Sequence, residues 1–187
     1  MTAYDLEHLR SLPRDKQIRL IELAREKRER KAQKRARENF RSFVEYMSGG
    51  ARGGDYRFGA HHRIIASHAD KVVEGEIDRL LVSMPPQHGK SFLLSVHLPA
   101  YFLGRFPKKK AIASAYGHSL ARDWGRQVRN MTRTEEFEAL FPQSVLAEDR
   151  QAQDVFNTVA GGGYVAVGES GTVTGRGADL FIIDVPV

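Results

Sequence analysis

Residues 79–91 read Arg79-Leu80-Leu81-Val82-Ser83-Met84-Pro85-Pro86-Gln87-His88-Gly89-Lys90-Ser91, an apolar run that breaks at two prolines and ends in Gly-Lys-Ser. That ending matches the last part of the phosphate-binding pattern G-x-x-x-x-G-K-[ST], in which backbone N–H groups at a helix N-terminus cradle phosphates. The first glycine of the pattern is replaced by Met84, so the tripeptide alone is a weak signal and its surroundings decide. The pattern requires a strand before the loop and a helix after it. Residues 79–84 are an apolar run of strand length, and residues 91–98 (SFLLSVHL) open a longer apolar run of helix length. In that setting Lys90 reaches the β- and γ-phosphates, Ser91 offers its hydroxyl to Mg²⁺, and Gly89 lets the backbone come close. Pro85 and Pro86 carry no N–H, so the cradle must use the amides of Gln87, His88, Gly89, Lys90 and Ser91.

A phosphate-binding loop of this type also needs a carboxylate at the end of another parallel strand, to hold Mg²⁺. Leu180–Asp184 (LFIID) is a buried-strand pattern ending in an acid, which makes Asp184 the second metal-site residue beside Ser91. Between the two motifs lie further elements. The apolar run from residue 90 to 103 predicts a helix that Pro99 kinks or ends. Residues 110–116 (KAIASAY) predict a strand. Residues 119–131 predict a helix with Leu120, Trp124, Val128 and Met131 inward and Arg122, Arg126 and Arg129 mostly outward. Residues 155–159 and 164–167 flank Gly161-Gly162-Gly163 and predict a hairpin. Upstream, His62, Ile65, Ala66, Ala69, Val72 and Val73 share one helix face, with Gly75 as the stop. Strands alternating with helices imply an α/β fold of P-loop NTPase type: a mainly parallel sheet flanked by helices on both faces.

The N-terminal part differs in character. Residues 13–47 read as one long helix or two joined ones, with Ser11 as a candidate N-cap and Pro13 in the first turn. Phe40, Phe43, Val44 and Met47 form an apolar face at its end. Residues 25–37 hold eight Lys/Arg against Glu26 and Glu29, and nothing there is expected to bury a helix face. The stretch reads either as a solvated helix supported by Glu–Lys/Arg pairs or as a surface for nucleic acid or an acidic protein. The glycine-rich residues 48–60 read as a loop. The chain therefore divides into an N-terminal basic helical segment, 1–47, and a partial P-loop ATPase domain, 48–187.

Bulk properties set limits on function. The 187 residues carry a formal net charge of +6, so acidic partners are expected. With no cysteine, disulfides and thiolate metal sites are excluded. Met1-Thr2-Ala3-Tyr4-Asp5 is not a signal peptide, and no apolar run approaches the roughly 18 residues of a membrane span. The expectation is a soluble, intracellular protein with no membrane partner. Adjacent His61 and His62 point apart on a helix, which argues against a histidine metal site. A small-molecule kinase would need a lid and an acceptor site, and neither is legible.

Four stretches occur in order: MPPQHGKS, PAYFLGRFP, ASAYGHSLARDWGRQVRNM and TVTGRGADLFIID. Together they resemble the N-terminal ATPase domain of the large terminase subunit of tailed bacteriophages, from about Phe40 to Asp184. Members of that family commonly lack the first P-loop glycine, so Met84 and Gln87 fit it. The resemblance implies a motor that uses ATP and Mg²⁺ to pump double-stranded viral DNA into a capsid. It implies a homo-oligomeric ring, with the portal protein and the small terminase subunit as partners, in the host cell cytoplasm. It also implies phosphate binding by Gln87 to Ser91, with Asp184 as the Walker B carboxylate. The region of His61 and His62 corresponds to the adenine contact, although His62 also fits as a packed helix residue. Arg176 is in place for a γ-phosphate contact in its own or a neighbouring subunit, or as a loop arginine.

Two departures bear on function. In the family the Walker B acid is usually followed by Asp-Pro or by Glu, the second acid orienting the attacking water. Here Val185 follows Asp184, which predicts nucleotide binding with hydrolysis reduced by orders of magnitude. The chain also ends at Val187 without the family's nuclease domain. In this fold class the strand after Walker B lies between the P-loop strand and the Walker B strand, so an incomplete sheet with orphaned edges is expected. The alternative reading is a truncated, non-catalytic remnant that binds DNA or a capsid or portal protein.

Overall fold

The structure is a computed structural model that describes residues 12–49, 57–168 and 177–184. Helix α1, Arg14–Glu38, contains neither glycine nor proline and is built mostly of strong helix formers. Its exposed i,i+4 pairs, Glu26–Arg30 at 4.0 Å and Lys34–Glu38 at 3.8 Å, add only a few tenths of a kcal/mol each. Pro13 occupies the N-cap position of α1. Ser11, the expected cap, lies outside the described residues. The joint to α2, Phe40–Met47, is Asn39, whose extended backbone ends one helix and whose side chain accepts the Ser42 N–H at 2.8 Å to cap the next.

The basic stretch does bury a face, contrary to expectation. Ala36 is fully buried, and α1 packs along α2. Glu29 accepts a 2.6 Å hydrogen bond from the Tyr46 hydroxyl. Arg37 donates to the carbonyls of Leu140 and Ala139 at 2.8 and 2.7 Å. Small alanines and long side chains whose polar ends reach backbone do the work that a hydrophobic stripe does elsewhere. Farther out on α1, Ile18, Ile21 and Leu23 are exposed.

Helix α3, Ala60–Glu74, stops at Gly75, which is left-handed at φ 79°, as its sequence predicts. Residues 79–85 then run without regular structure, and Leu81 is 94% exposed. Among the described residues the expected first strand therefore pairs with no other strand. A helical segment opens at Lys90. It passes through a π-helical turn, Phe92–His97, into α4, Leu98–Arg105. Pro99 neither ends nor breaks this segment. It lacks the N–H that would bond Ser95 C=O, and its ring crowds that carbonyl. The wider π turn sits immediately before it, with Leu98 N–H bonded five residues back to Leu93 C=O.

Strand β1, Lys110–Ala115, is followed by α5, His118–Thr132, and α6, Glu135–Leu140. Then come β2, Leu146–Gln151, β3, Val155–Thr158, β4, Gly163–Gly168, and β5, Leu180–Asp184. The sheet order is β2-β3-β4-β1-β5. β1 lies parallel to β4 and β5, whereas β2–β3 and β3–β4 are antiparallel. The predicted hairpin is present as β3–β4, turning through Gly161 at φ 96°. The sheet is thus mixed rather than mainly parallel, because β2 and the hairpin extend it on one side. Neither α6 nor β2 is legible in the hydrophobic pattern.

Register assigns the faces. Tyr164, Ala111 and Leu180 align across three strands, as do Ala166, Ala113 and Ile182. These residues belong to or pack against the main core, on which α4 and α5 also lie. The helices with substantial sheet contacts therefore gather on one face rather than both. On α5 the inward residues are Ala121, Trp124, Gly125, Val128 and Thr132. Leu120, expected inward, is 39% exposed. An aromatic cluster of Phe40, Phe43, Tyr101, Phe137 and Phe141 ties α2, α4 and α6 together. Burying each such ring contributes about 1.5–3 kcal/mol.

The sheet is incomplete. β5 pairs with β1 on one side only, and its other side faces a cleft of about 1010 Å³ whose far wall includes Leu80, Leu81 and Val82. Among the described residues no helix is long and apolar enough to cross a membrane.

Candidate functional site

Three parallel strands end together: Ala115 of β1 is in register with Gly168 of β4 and Asp184 of β5. Ligand crevices of open α/β sheets lie off such carboxyl ends. The loop before Lys90 meets β5 at this rim, although the segment leading into it is not in the sheet. Gln87 and Gly89 both take left-handed backbones, at φ 62° and 83°. For a non-glycine such as Gln87 that conformation costs roughly 1–2 kcal/mol. Gly89 C=O accepts the first helical bond, from Leu93 N–H at 3.0 Å. The N–H groups of Lys90 and Ser91 come before that bond, at the start of the helix, where backbone donors suit an anion.

Asp184 gathers the donors of that turn. Lys90 Nζ lies 2.9 Å from Asp184 Oδ1, and Ser91 Oγ donates to Oδ2 at 2.6 Å. Ser95 Oγ donates to the same oxygen at 2.7 Å. Burial pushes the Asp184 carboxyl up. The hydrogen bonds from Ser91, Lys90 and Ser95 and the Lys90 charge outweigh it and hold the group below the usual carboxylate range. The Asp184 side chain is 8% exposed and that of Lys90 28%, so the lysine is the partner with room to move. Lys90, Ser91 and Asp184 are thus brought together. Ser95 joins them without being part of the phosphate-binding pattern, and its sequence signal is a lone serine four residues after Ser91 in an apolar run.

His62 also reaches the loop. Its Nδ1 accepts the Gly59 N–H at 3.1 Å. That fixes the proton on Nε2, which donates to His88 C=O at 2.8 Å. Helix α3 is thereby fastened to the loop, with both ring nitrogens of His62 engaged by backbone. His88 in turn donates from Nδ1 to Pro86 C=O at 2.7 Å. Contrary to expectation, the rings of His61 and His62 do not point apart but lie 3.9 Å from each other, with His61 6.1 Å from His88, centre to centre. Among the described residues no three His, Cys, Asp or Glu side chains are grouped to hold a metal. Arg176 and Val185 lie outside the described residues.

The cleft beside β5 opens onto this site, since Lys90, Ser95 and Asp184 line it. A second hollow of about 910 Å³, lined by Ile112, Asn157 and Val165 among others, does not touch it. No family model matches this chain, and neither a curated protein nor a solved structure does.

Proposed function

We propose that this chain binds ATP with Mg²⁺ at the junction of residues 87–91 and Asp184. The observation that carries the proposal is the meeting of Lys90, Ser91 and Asp184 within 2.9 Å at the ends of separate elements. A chance Gly-Lys-Ser would have no reason to face a buried strand-end carboxylate. The donor set fits the group: Mg²⁺ takes oxygen ligands and keeps several waters, so one hydroxyl, one carboxylate and the phosphates are enough. When bound, Mg²⁺ would neutralise part of the charge on the phosphates.

The chain's own residues then divide the work. The amides of Gln87 to Ser91 bind phosphate oxygens. Lys90 exchanges its contact with Asp184 for one with the β- and γ-phosphates. Ser91 and Asp184 hold the metal, and His62 fixes the loop through His88 C=O. Hydrolysis joins a water oxygen to the γ-phosphorus, breaks the β–γ bridge and releases a proton. Val185 offers nothing to orient that water or take that proton, so turnover by this chain is slow.

The wider reading is the ATPase part of a terminase large subunit, a DNA-packaging motor of tailed bacteriophages, and it rests on the four ordered motifs. Its partners would be double-stranded viral DNA, the portal protein, the small terminase subunit and further copies in a ring, in the host cell cytoplasm. Val185 specifically favours a second reading, a remnant that binds DNA or a capsid protein without catalysis. Calorimetric titration of the chain and of Lys90→Ala with Mg²⁺-ATP tests the nucleotide site. Binding by the wild type alone is expected, and no binding or equal binding by both overturns it. Phosphate release with and without double-stranded DNA separates motor from remnant.

A further inference from the structure

The phosphate-binding pattern contains no requirement for Ser95, yet Ser95 is fully buried and its hydroxyl donates to Asp184 Oδ2 at 2.7 Å. The same oxygen accepts Ser91 at 2.6 Å, while Lys90 holds Oδ1. Two of these three donors have another task once nucleotide arrives, Lys90 at the phosphates and Ser91 at the cation. Ser95 lies a turn deeper and has no route to either. From this geometry we infer that Ser95 is the positioning residue of Asp184. It would hold Oδ2 and keep the carboxylate from rotating when Lys90 and Ser91 turn to the phosphates and the cation. The inference rests on the nucleotide reading above.

The local sequence holds this hydroxyl in place. Pro99 leaves Ser95 C=O without its usual α-helical donor, and the π turn Phe92–His97 absorbs the mismatch. His97 supports the same turn from the side, its Nδ1 donating to Phe92 C=O at 2.8 Å. Burial pulls the pKa of His97 down to about 4, against the raising effect of that hydrogen bond. The ring is therefore neutral at neutral pH and the turn carries no buried charge. Outer groups that orient metal ligands typically change metal affinity 10–100-fold when removed.

The test titrates Mg²⁺ against the full chain at fixed ATP, for the wild type, Ser95→Ala and Ser95→Cys. Nucleotide affinity without metal is expected to stay within about twofold, while the Mg²⁺ midpoint rises about tenfold or more in Ser95→Ala. Ser95→Cys keeps the side chain's size with a weaker donor, and its midpoint is expected between the two. It also serves if the alanine variant does not fold. A ligand-free readout accompanies these: the Asp184 carboxyl, followed by NMR, titrates at higher pH in Ser95→Ala than in the wild type. An unchanged Mg²⁺ midpoint in folded variants overturns the role of Ser95 and leaves nucleotide binding standing. A wild type that binds no nucleotide overturns both.

Discussion

Replacing Asp184 by asparagine isolates the charge at the centre of the site. The amide oxygen can still accept from Ser91 and Ser95, but the NH₂ group now faces Lys90 Nζ, which stands 2.9 Å from Oδ1. Hydrogen bonds to a charged group are worth about 1.5–3 kcal/mol and neutral ones about 0.5–1.5. The two serine bonds therefore lose roughly 1 kcal/mol each, and the lysine contact is lost. Two effects offset this loss. The buried carboxylate no longer has to be desolvated, and partly exposed Lys90 turns to water. A net destabilisation of about 2 kcal/mol remains, or roughly 4–8 °C in Tm for a chain of this size.

The pH dependence has a definite sign. The Asp184 carboxyl is held below its ordinary value in the folded chain. Its stabilisation is present in full above the unfolded pKa of about 4 and is lost as pH falls through the folded value. Urea unfolding of both proteins at pH 7, 4.5 and 3 should show the full gap at pH 7 and a narrower one at pH 3. Equal stability at pH 7, or a gap that widens on acidification, refutes the reasoning.

Three further outcomes follow from other contacts. His62→Ala removes the 2.8 Å bond to His88 C=O and should weaken ATP binding about fivefold by calorimetry, the worth of one hydrogen bond near 1 kcal/mol. Arg37→Ala removes two bonds to the carbonyls that end α6 and should cost about 1.5–3 kcal/mol in urea unfolding. Arg37→Lys should recover less than half, because an ammonium lacks the guanidinium fork. Gly125→Ala drives a methyl group into Gln153 C=O, with Tyr164 and Ala166 close behind, and should lower Tm by an amount matching about 1–3 kcal/mol of overpacking.

The site was more legible than the fold around it. Gly89-Lys90-Ser91 and LFIID stand out because a phosphate-binding pattern asks for particular residue types at particular spacings. Helices α3 and α5 were equally plain, since periodic burial and a glycine stop are local properties. Strand pairing was not, because β pairing joins residues distant in sequence and edge and central strands read alike. Residues 79–84 have the composition of a strand, yet among the described residues they join no sheet. The π turn was hidden for a related reason. Pro99 predicts a disturbance, but whether a helix ends or widens depends on the packing that holds its two halves in line.

By itself the sequence determined the chemistry available here: a Gly-Lys-Ser loop without the first glycine of the phosphate-binding pattern, a carboxylate followed by valine, and no thiol. Only the tertiary structure decided which groups meet. It turned Ser95 onto Asp184, used His62 to fasten the loop and gave the alanines of a basic helix a surface to bury. Each of these outcomes depends on the relative placement of elements far apart in the chain. Composition and periodicity carry no information about that placement until the core has packed.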